Sequence, residues 1–374
     1  MGDRTKTLAA VMPAPSADGK SPAVCELREL PLPDLEPDSA ILEVELSEVC
    51  GTDVHLQHGR LAGVPYPIIP GHVSCGTLAK IRGTLRDVNG VAFAEGDRVT
   101  FFDVHRTCGR CWYCTIAKAS TRCPHRKVYG ITYGIEDGLT GGWAQHIHIK
   151  PGVQCIRLEG VESELFMAGG CSLPTALHAV ERADIMFGDT VLVLGSGPVG
   201  LSAVALSTLR GAGRVLCIGA PDARLAQAKQ MGASEVLEFT RHSDDERTAW
   251  VRQFTGGRGA DVTIECTGAP PAVTQAMRMT RDAGRVVVVG QYTDHGETSF
   301  NPHLDLNKKH LDVRGCWGSD YSHFHRSVDL LRRPTAAKLW STLVPERYPL
   351  GRVNEALDDV AAGKIVKALV VPQR

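Results

Sequence analysis

The chain has 374 residues, of which 43% are hydrophobic and 22% charged, with a formal net charge of -1. That length suits two domains and a sizeable core, and a near-neutral chain without a basic run argues against nucleic acid or an anionic membrane as its main partner. No apolar run approaches the roughly 20 residues that span a bilayer, and residues 1–20 show no apolar leader. The twelve cysteines are therefore expected as thiols and metal ligands of a cytoplasmic protein rather than as disulfides.

The first ~170 residues are rich in short β-like runs broken by Pro and Gly. Residues 40–46 alternate as a half-buried strand should. The turn Gly96-Asp97-Arg98 leads into a strand at 99–102, and Gly141-Gly142-Trp143 precedes an alternating run at 144–149. Many short strands with turn signals predict a barrel-like β domain. After Pro174 the pattern changes. An apolar strand at 190–194 is followed by a glycine turn and a helix over 199–210, then a strand at 214–218, a helix over 223–231 and a strand at 234–239. Further strands are predicted at 261–265 and 286–289. Such alternation implies βαβ units and a parallel sheet, an α/β class overall. The last ~50 residues return to mixed character and end in a strand at 367–371.

Four cysteines crowd one segment at Cys108, Cys111, Cys114 and Cys123, with gaps of two, two and eight residues. Four thiolates on a short turn-rich segment suit a tetrahedral structural zinc at about 2.3 Å; a disulfide framework is the alternative for an exported chain. Gly195-Ser196-Gly197-Pro198-Val199-Gly200 follows an apolar strand and opens a helix. In that setting the glycines permit a tight turn, close approach of a pyrophosphate to backbone, and close helix–strand packing. The acidic residue that usually grips the adenosine ribose is replaced by Gly219, with Asp222 three residues late and Arg224 beyond it. Asp222 reaching back to the ribose favours NAD, whereas Arg224 pairing a 2′-phosphate favours NADP. Cys50, His72 and Cys171 match an established set of two Cys and one His for a catalytic zinc with an open fourth position. Singly, each is more readily read as a buried small hydrophobe or a structural histidine.

Together these residues give the chain a resemblance to the zinc-dependent medium-chain dehydrogenases/reductases, the alcohol dehydrogenase superfamily. It runs nearly end to end and rests on five ordered features. These are Cys50-Gly51-Thr52-Asp53 with His55, Gly71-His72, the four-cysteine lobe, Cys171 and the dinucleotide fingerprint. The resemblance implies a GroES-like catalytic β domain built from residues 1–177 and 321–374, and a Rossmann domain over 178–320, with the active site in the cleft. It implies two zinc ions per chain, a catalytic one on Cys50, His72 and Cys171 and a structural one on the lobe. Thr52 is implied to hydrogen-bond a substrate hydroxyl, and His55 to pass its proton to solvent through the cofactor ribose. The cofactor is implied to be NAD or NADP, held by Gly195, Gly197, Pro198, Val199 and Gly200 with Asp222 or Arg224, and the assembly a homodimer or homotetramer.

Three features depart from the family pattern. Val73 follows His72 where many relatives carry Glu, the last lobe gap is eight residues rather than seven, and Gly219 stands at the acidic position. Glu164 is the fallback should Cys171 not be the third ligand. Phe101, Phe102, Trp112 and Trp317 are candidates for a pocket wall or for core packing. Gln57, His58, Asp103, His105, Tyr321, His323 and His325 add polar character, which favours a polyol, sugar or cyclitol over a simple alkanol as substrate. A non-catalytic zinc-ribbon and nucleotide-sensing module has no need of Thr52, His55 and an open metal set. A zinc-free quinone or enoyl reductase is not expected to keep Cys50, His72 and Cys171 together.

Overall fold

A computed structural model of the protein describes residues 5–16 and 21–373, so the opening segment read as leaderless lies partly outside the described residues. Among the described residues, no helix is long and apolar enough to cross a membrane. The chain divides into two compact units. One comprises the chain up to Cys171, Asp320–Arg332 and the chain from Val344 onward; the other comprises Ser172–Ser319 and Arg333–Leu343.

The first unit is organised by the strand Ser39–Val49, which pairs antiparallel with Ser74–Arg82, His146–Ile149 and Ala368–Val371. Its alternation explains its place: Leu42, Val44 and Leu46 turn into the core while Glu43 and Glu45 face outward. The sheet runs Glu346–Pro349, Ala368–Val371, Ser39–Val49, Ser74–Arg82, Arg98–Phe101, Cys155–Arg157. One apolar cluster gathers Leu42, Val44, Leu78, Val99, Phe101 and Ile147, and a second gathers Met12, Leu56, Ile68, Trp143 and Leu357. Strand Ser74–Arg82 goes unrecognised in the sequence because its Ser-Cys-Gly-Thr start reads as a loop.

In the second unit six parallel strands lie in the order Glu235–Glu238, Arg214–Gly219, Thr190–Leu194, Ala260–Glu265, Thr280–Val288, Asp312–Gly315. Numbered along the chain this is 3-2-1-4-5-6, the doubly wound order of dinucleotide-binding sheets. The strands are apolar because helices cover both faces; Leu192, Leu216, Val286 and Ala276 share one buried cluster. The sixth strand, Asp-Val-Arg-Gly, lies at the sheet edge and lacks the apolar run that marks the others.

The boundaries differ from the sequence-based division at 177 and 320. Residues 333–343, expected with the terminal catalytic segment, cluster with the second unit. The cause is Trp340, wholly buried there with its indole N–H 3.3 Å from Ser202 Oγ on the helix Pro198–Leu209. Trp340→Ala should cost ~3–5 kcal/mol, the range for deleting a buried aromatic. It should lower the denaturant midpoint of that unit, whereas Trp112→Ala, at a position 62% exposed, should leave the midpoint nearly unchanged.

Candidate metal centres and dinucleotide site

Three donors from separate parts of the chain meet inside the first unit. Cys50 caps the short helix Gly51–Gln57, His72 follows Gly71 in a left-handed turn (φ 87°), and Cys171 follows Gly170, also left-handed (φ 47°). Gly71 has no alternative, since a β-carbon there would lie 2.5 Å from the Trp143 ring and 2.6 Å from Ser47 Oγ. The Cys50 and Cys171 sulfurs and a His72 ring nitrogen all fall within 4.8 Å of one another. His72 Nε2 is the nitrogen turned to Cys50 Sγ, at 3.9 Å.

Behind this trio, Asp53 is wholly buried and accepts the Cys50 amide at 2.8 Å. Its other oxygen stands 3.9 Å from His72 Nδ1, and neither atom has a hydrogen-bond partner. A carboxylate behind a ligating imidazole fixes the ring's tautomer and orientation. Burial, and next the charge of Cys50, push the Asp53 carboxyl up. A hydrogen bond from Cys171, then the neighbouring His72, pull the Cys50 thiol well below its ordinary value. Burial opposes charge on His72, yet Cys50 and Asp53 outweigh it and lift the imidazole to about 10. A buried point that favours thiolate and positive charge together fits a divalent cation held by two Cys and one His.

The lobe is a second, separate donor set. The sulfurs of Cys108, Cys111, Cys114 and Cys123 all lie within 4.8 Å of one another, and none is in a disulfide. The Cys108 amide donates to Cys123 Sγ and the Cys111 amide to Cys108 Sγ, both at 3.3 Å. Such N–H···S contacts favour thiolates, and the Arg110 amide leads in drawing the Cys108 thiol down to about 6. The extra residue in the last gap is absorbed without separating the sulfurs.

The fingerprint glycines differ in their surroundings. Gly195 is left-handed (φ 103°), Gly197 is open to approach, and a β-carbon on Gly200 would sit 1.9 Å from the Gly195 carbonyl oxygen. Pro198 and Val199 open the helix Pro198–Leu209 directly after Gly197. At Gly219 a β-carbon would lie 2.4 Å from Ser196 Oγ, so Ser196 and a ribose-gripping acid at 219 are sterically incompatible. Asp222 is engaged by Arg241 at 2.6 Å, a partner the sequence did not reveal. Arg224 is half-buried.

Several other candidates are occupied elsewhere. Glu164, the fallback ligand, pairs with Arg347 at 2.6 Å and is partly exposed. His105 is held between the Tyr133 hydroxyl (2.5 Å) and the Pro151 carbonyl (2.9 Å). His58 contacts the Val54 carbonyl, His323 pairs with Asp320 and His325 with Asp329. Gln57 is buried, and Asp103 lies close enough to feel the charge of His72. Tyr321 packs on Phe102 and lines a cavity of about 260 Å³ with Asp87, Phe93, Val153 and Cys155, a lining that includes none of Cys50, His72 and Cys171. Phe101 is core, Trp112 points outward and Trp317 stacks on Tyr292. The residues missed by sequence reasoning are Glu48 and Lys367, a buried pair that touches Cys171.

Elemental analysis of fully loaded protein should find two zinc ions per chain; a single zinc in active protein contradicts the two donor sets. Cys171→Ala should remove one zinc and turnover while leaving cofactor affinity intact. Cys111→Ser should remove the other and lower the melting temperature.

The profile of the alcohol dehydrogenase GroES-like domain matches residues 36–160, and that of the zinc-binding dehydrogenase matches residues 198–333. The chain is 30% identical over 348 residues to 5-exo-hydroxycamphor dehydrogenase of Pseudomonas putida, covering 92% of this chain and 95% of that one. It is 29% identical over 351 residues to a sorbitol dehydrogenase of Halalkalibacterium halodurans, again covering 92% and 95%. An alcohol dehydrogenase structure from Thermotoga maritima superposes with a TM-score of 0.91 at 31% identity, covering 98% of this chain and 99% of that one. With both domains matched in order over nearly the whole length, the chain belongs to the zinc-containing medium-chain dehydrogenases/reductases, as a zinc- and NAD(P)-dependent alcohol dehydrogenase.

Proposed function

We propose that the protein oxidises a secondary alcohol to a ketone, and reduces the ketone in reverse, at the site formed by Cys50, His72 and Cys171. The observation that carries this is the meeting of those three donors within 4.8 Å, beside a helix that also bears Thr52 and His55. When bound, zinc supplies Lewis acidity, lowering the pKa of a coordinated hydroxyl and polarising a carbonyl. The fingerprint segment 195–200 would hold a nicotinamide cofactor, which would supply the hydride acceptor or donor.

The chain's own residues supply holding and proton transfer. Cys50 presents a thiolate that accepts from the Cys171 thiol and the Thr52 amide, and Cys171, its thiol pushed well up by that hydrogen bond and by burial, would give up its proton on binding the metal. The Asp53 carboxyl faces His72 Nδ1 at 3.9 Å, where its charge favours a proton on that nitrogen and leaves Nε2 turned to Cys50. Thr52 Oγ1 accepts the proton leaving the substrate hydroxyl and donates its own onward. His55, three residues along the same helix and so on the same face, takes up that proton and relays it toward solvent. The fingerprint Gly195, Gly197, Pro198, Val199 and Gly200 cradles the pyrophosphate, with Arg224 and the Asp222–Arg241 pair at the adenosine end. Twelve cysteines outside any disulfide suit a reducing compartment such as the cytoplasm.

A polyol, sugar or cyclitol is the favoured substrate class, supported by the likeness to a sorbitol dehydrogenase. A bulky cyclic secondary alcohol is the second reading. It is favoured by the hydroxycamphor relative, and by the internal partners that occupy His58, His105, His323 and His325. A spectrophotometric screen with NAD and NADP against alkanols, polyols, cyclitols and cyclic terpenoid alcohols separates these. Polyols should be turned over faster than alkanols, and alkanols matching the best polyol would overturn the preference. His55→Ala should depress kcat most at low pH, where proton release is hardest; an unaltered pH profile would remove His55 from the relay.

A further inference from the structure

Glu48 lies two residues before Cys50 on the strand Ser39–Val49, and its side chain is 1% exposed, as is that of Lys367. Lys367 donates to Glu48 Oε1 and reaches the Gly169 carbonyl at 3.3 Å. Both carboxylate oxygens also face Cys171: Oε2 accepts its amide at 2.7 Å, and Oε1 lies 3.6 Å from its sulfur. Gly170 is required for this approach, because a β-carbon there would stand 2.2 Å from Glu48 Oε2 and 2.7 Å from Lys367 Nζ. Val73, beside His72, is apolar and buried, so it offers no carboxylate from that side.

Burying two charges costs several kcal/mol each, and a well-packed apolar replacement is often neutral or stabilising. Stability alone therefore does not account for a pair whose carboxylate spends every oxygen on one cysteine and one lysine. We propose that Glu48, neutralised by Lys367, is a positioning residue of the catalytic metal centre. It fixes the backbone of Cys171 through the amide at 2.7 Å and supplies from the preceding strand the carboxylate that Val73 does not. This role rests on reading Cys50, His72 and Cys171 as the metal donors.

The test uses full-length protein loaded with zinc, and separately with cobalt(II). Glu48→Gln keeps the shape and the bond to the Cys171 amide but strips the charge; Glu48→Asp keeps the charge and withdraws its reach. Both should release one of the two zinc ions to a chelator roughly tenfold faster or more. The other zinc should leave at the wild-type rate, and the thiolate-to-cobalt absorption band should shift. Glu48→Gln with Lys367→Met removes the unpaired ammonium without restoring the carboxylate and should still release the zinc at Cys171 faster than wild type; a return to the wild-type rate would assign the effect to the stranded lysine and overturn the role. Should Glu48→Gln fail to fold, Glu48→Asp decides by the same readout. Release within twofold of wild type with an unshifted cobalt band overturns the role. If Cys171→Ser also keeps both zinc ions at the wild-type release rate, the donor set itself is wrong, a distinct outcome.

Discussion

Cys50, Cys171 and the buried Asp53 gather at His72 in the first unit, with the buried Glu48 behind Cys171, and the cost of keeping acidic groups there away from water is the constraint to which the surrounding structure answers. Negative groups stripped of water are costly unless each is paired or hydrogen-bonded. Here the Thr52 and Cys171 amides, the imidazole and the Lys367 ammonium each offset part of that charge. What is left suits a divalent cation, and the same excess of negative charge would bind it tightly. The left-handed Gly71 and Gly170 follow from the same constraint, since each lets backbone pass where a side chain would displace a donor's neighbour.

The two donor sets make different use of cysteine. In the lobe, the sulfurs come from one short segment, their partners are nearby amides, and the surroundings are partly exposed. Four donors close the coordination shell, which suits a structural ion. In the trio, the donors come from a helix cap and two glycine turns, and three of them leave a position for a reacting oxygen. On the proposed reading, chemistry belongs to the set whose geometry depends on the whole fold of its unit.

That contrast also governs what the sequence revealed. The lobe, the fingerprint and the apolar Rossmann strands are local patterns, legible because spacing alone carries them. The trio was legible only through its order among other motifs, since no local rule links Cys50 to Cys171. Glu48 was missed although a signal existed: it continues the inward register of Leu42, Val44 and Leu46, where a charge is out of place. Lys367 offered less, because a lysine opening a terminal strand reads as solvated until its distant partner is known. The polar residues counted toward a hydrophilic pocket are hard to place from sequence for the same reason. The partners that occupy His105 lie 28 and 46 residues away, and composition does not encode such pairings.

The central claim is that a metal occupies the point shared by Cys50, His72 and Cys171. Crystals of active, zinc-loaded protein measured on both sides of the zinc absorption edge test it most directly. Two anomalous peaks per chain are predicted, one among the lobe sulfurs and one bonded to Cys50, His72 and Cys171. A lobe peak alone, with no density at the trio in protein that still turns over alcohol, would contradict it.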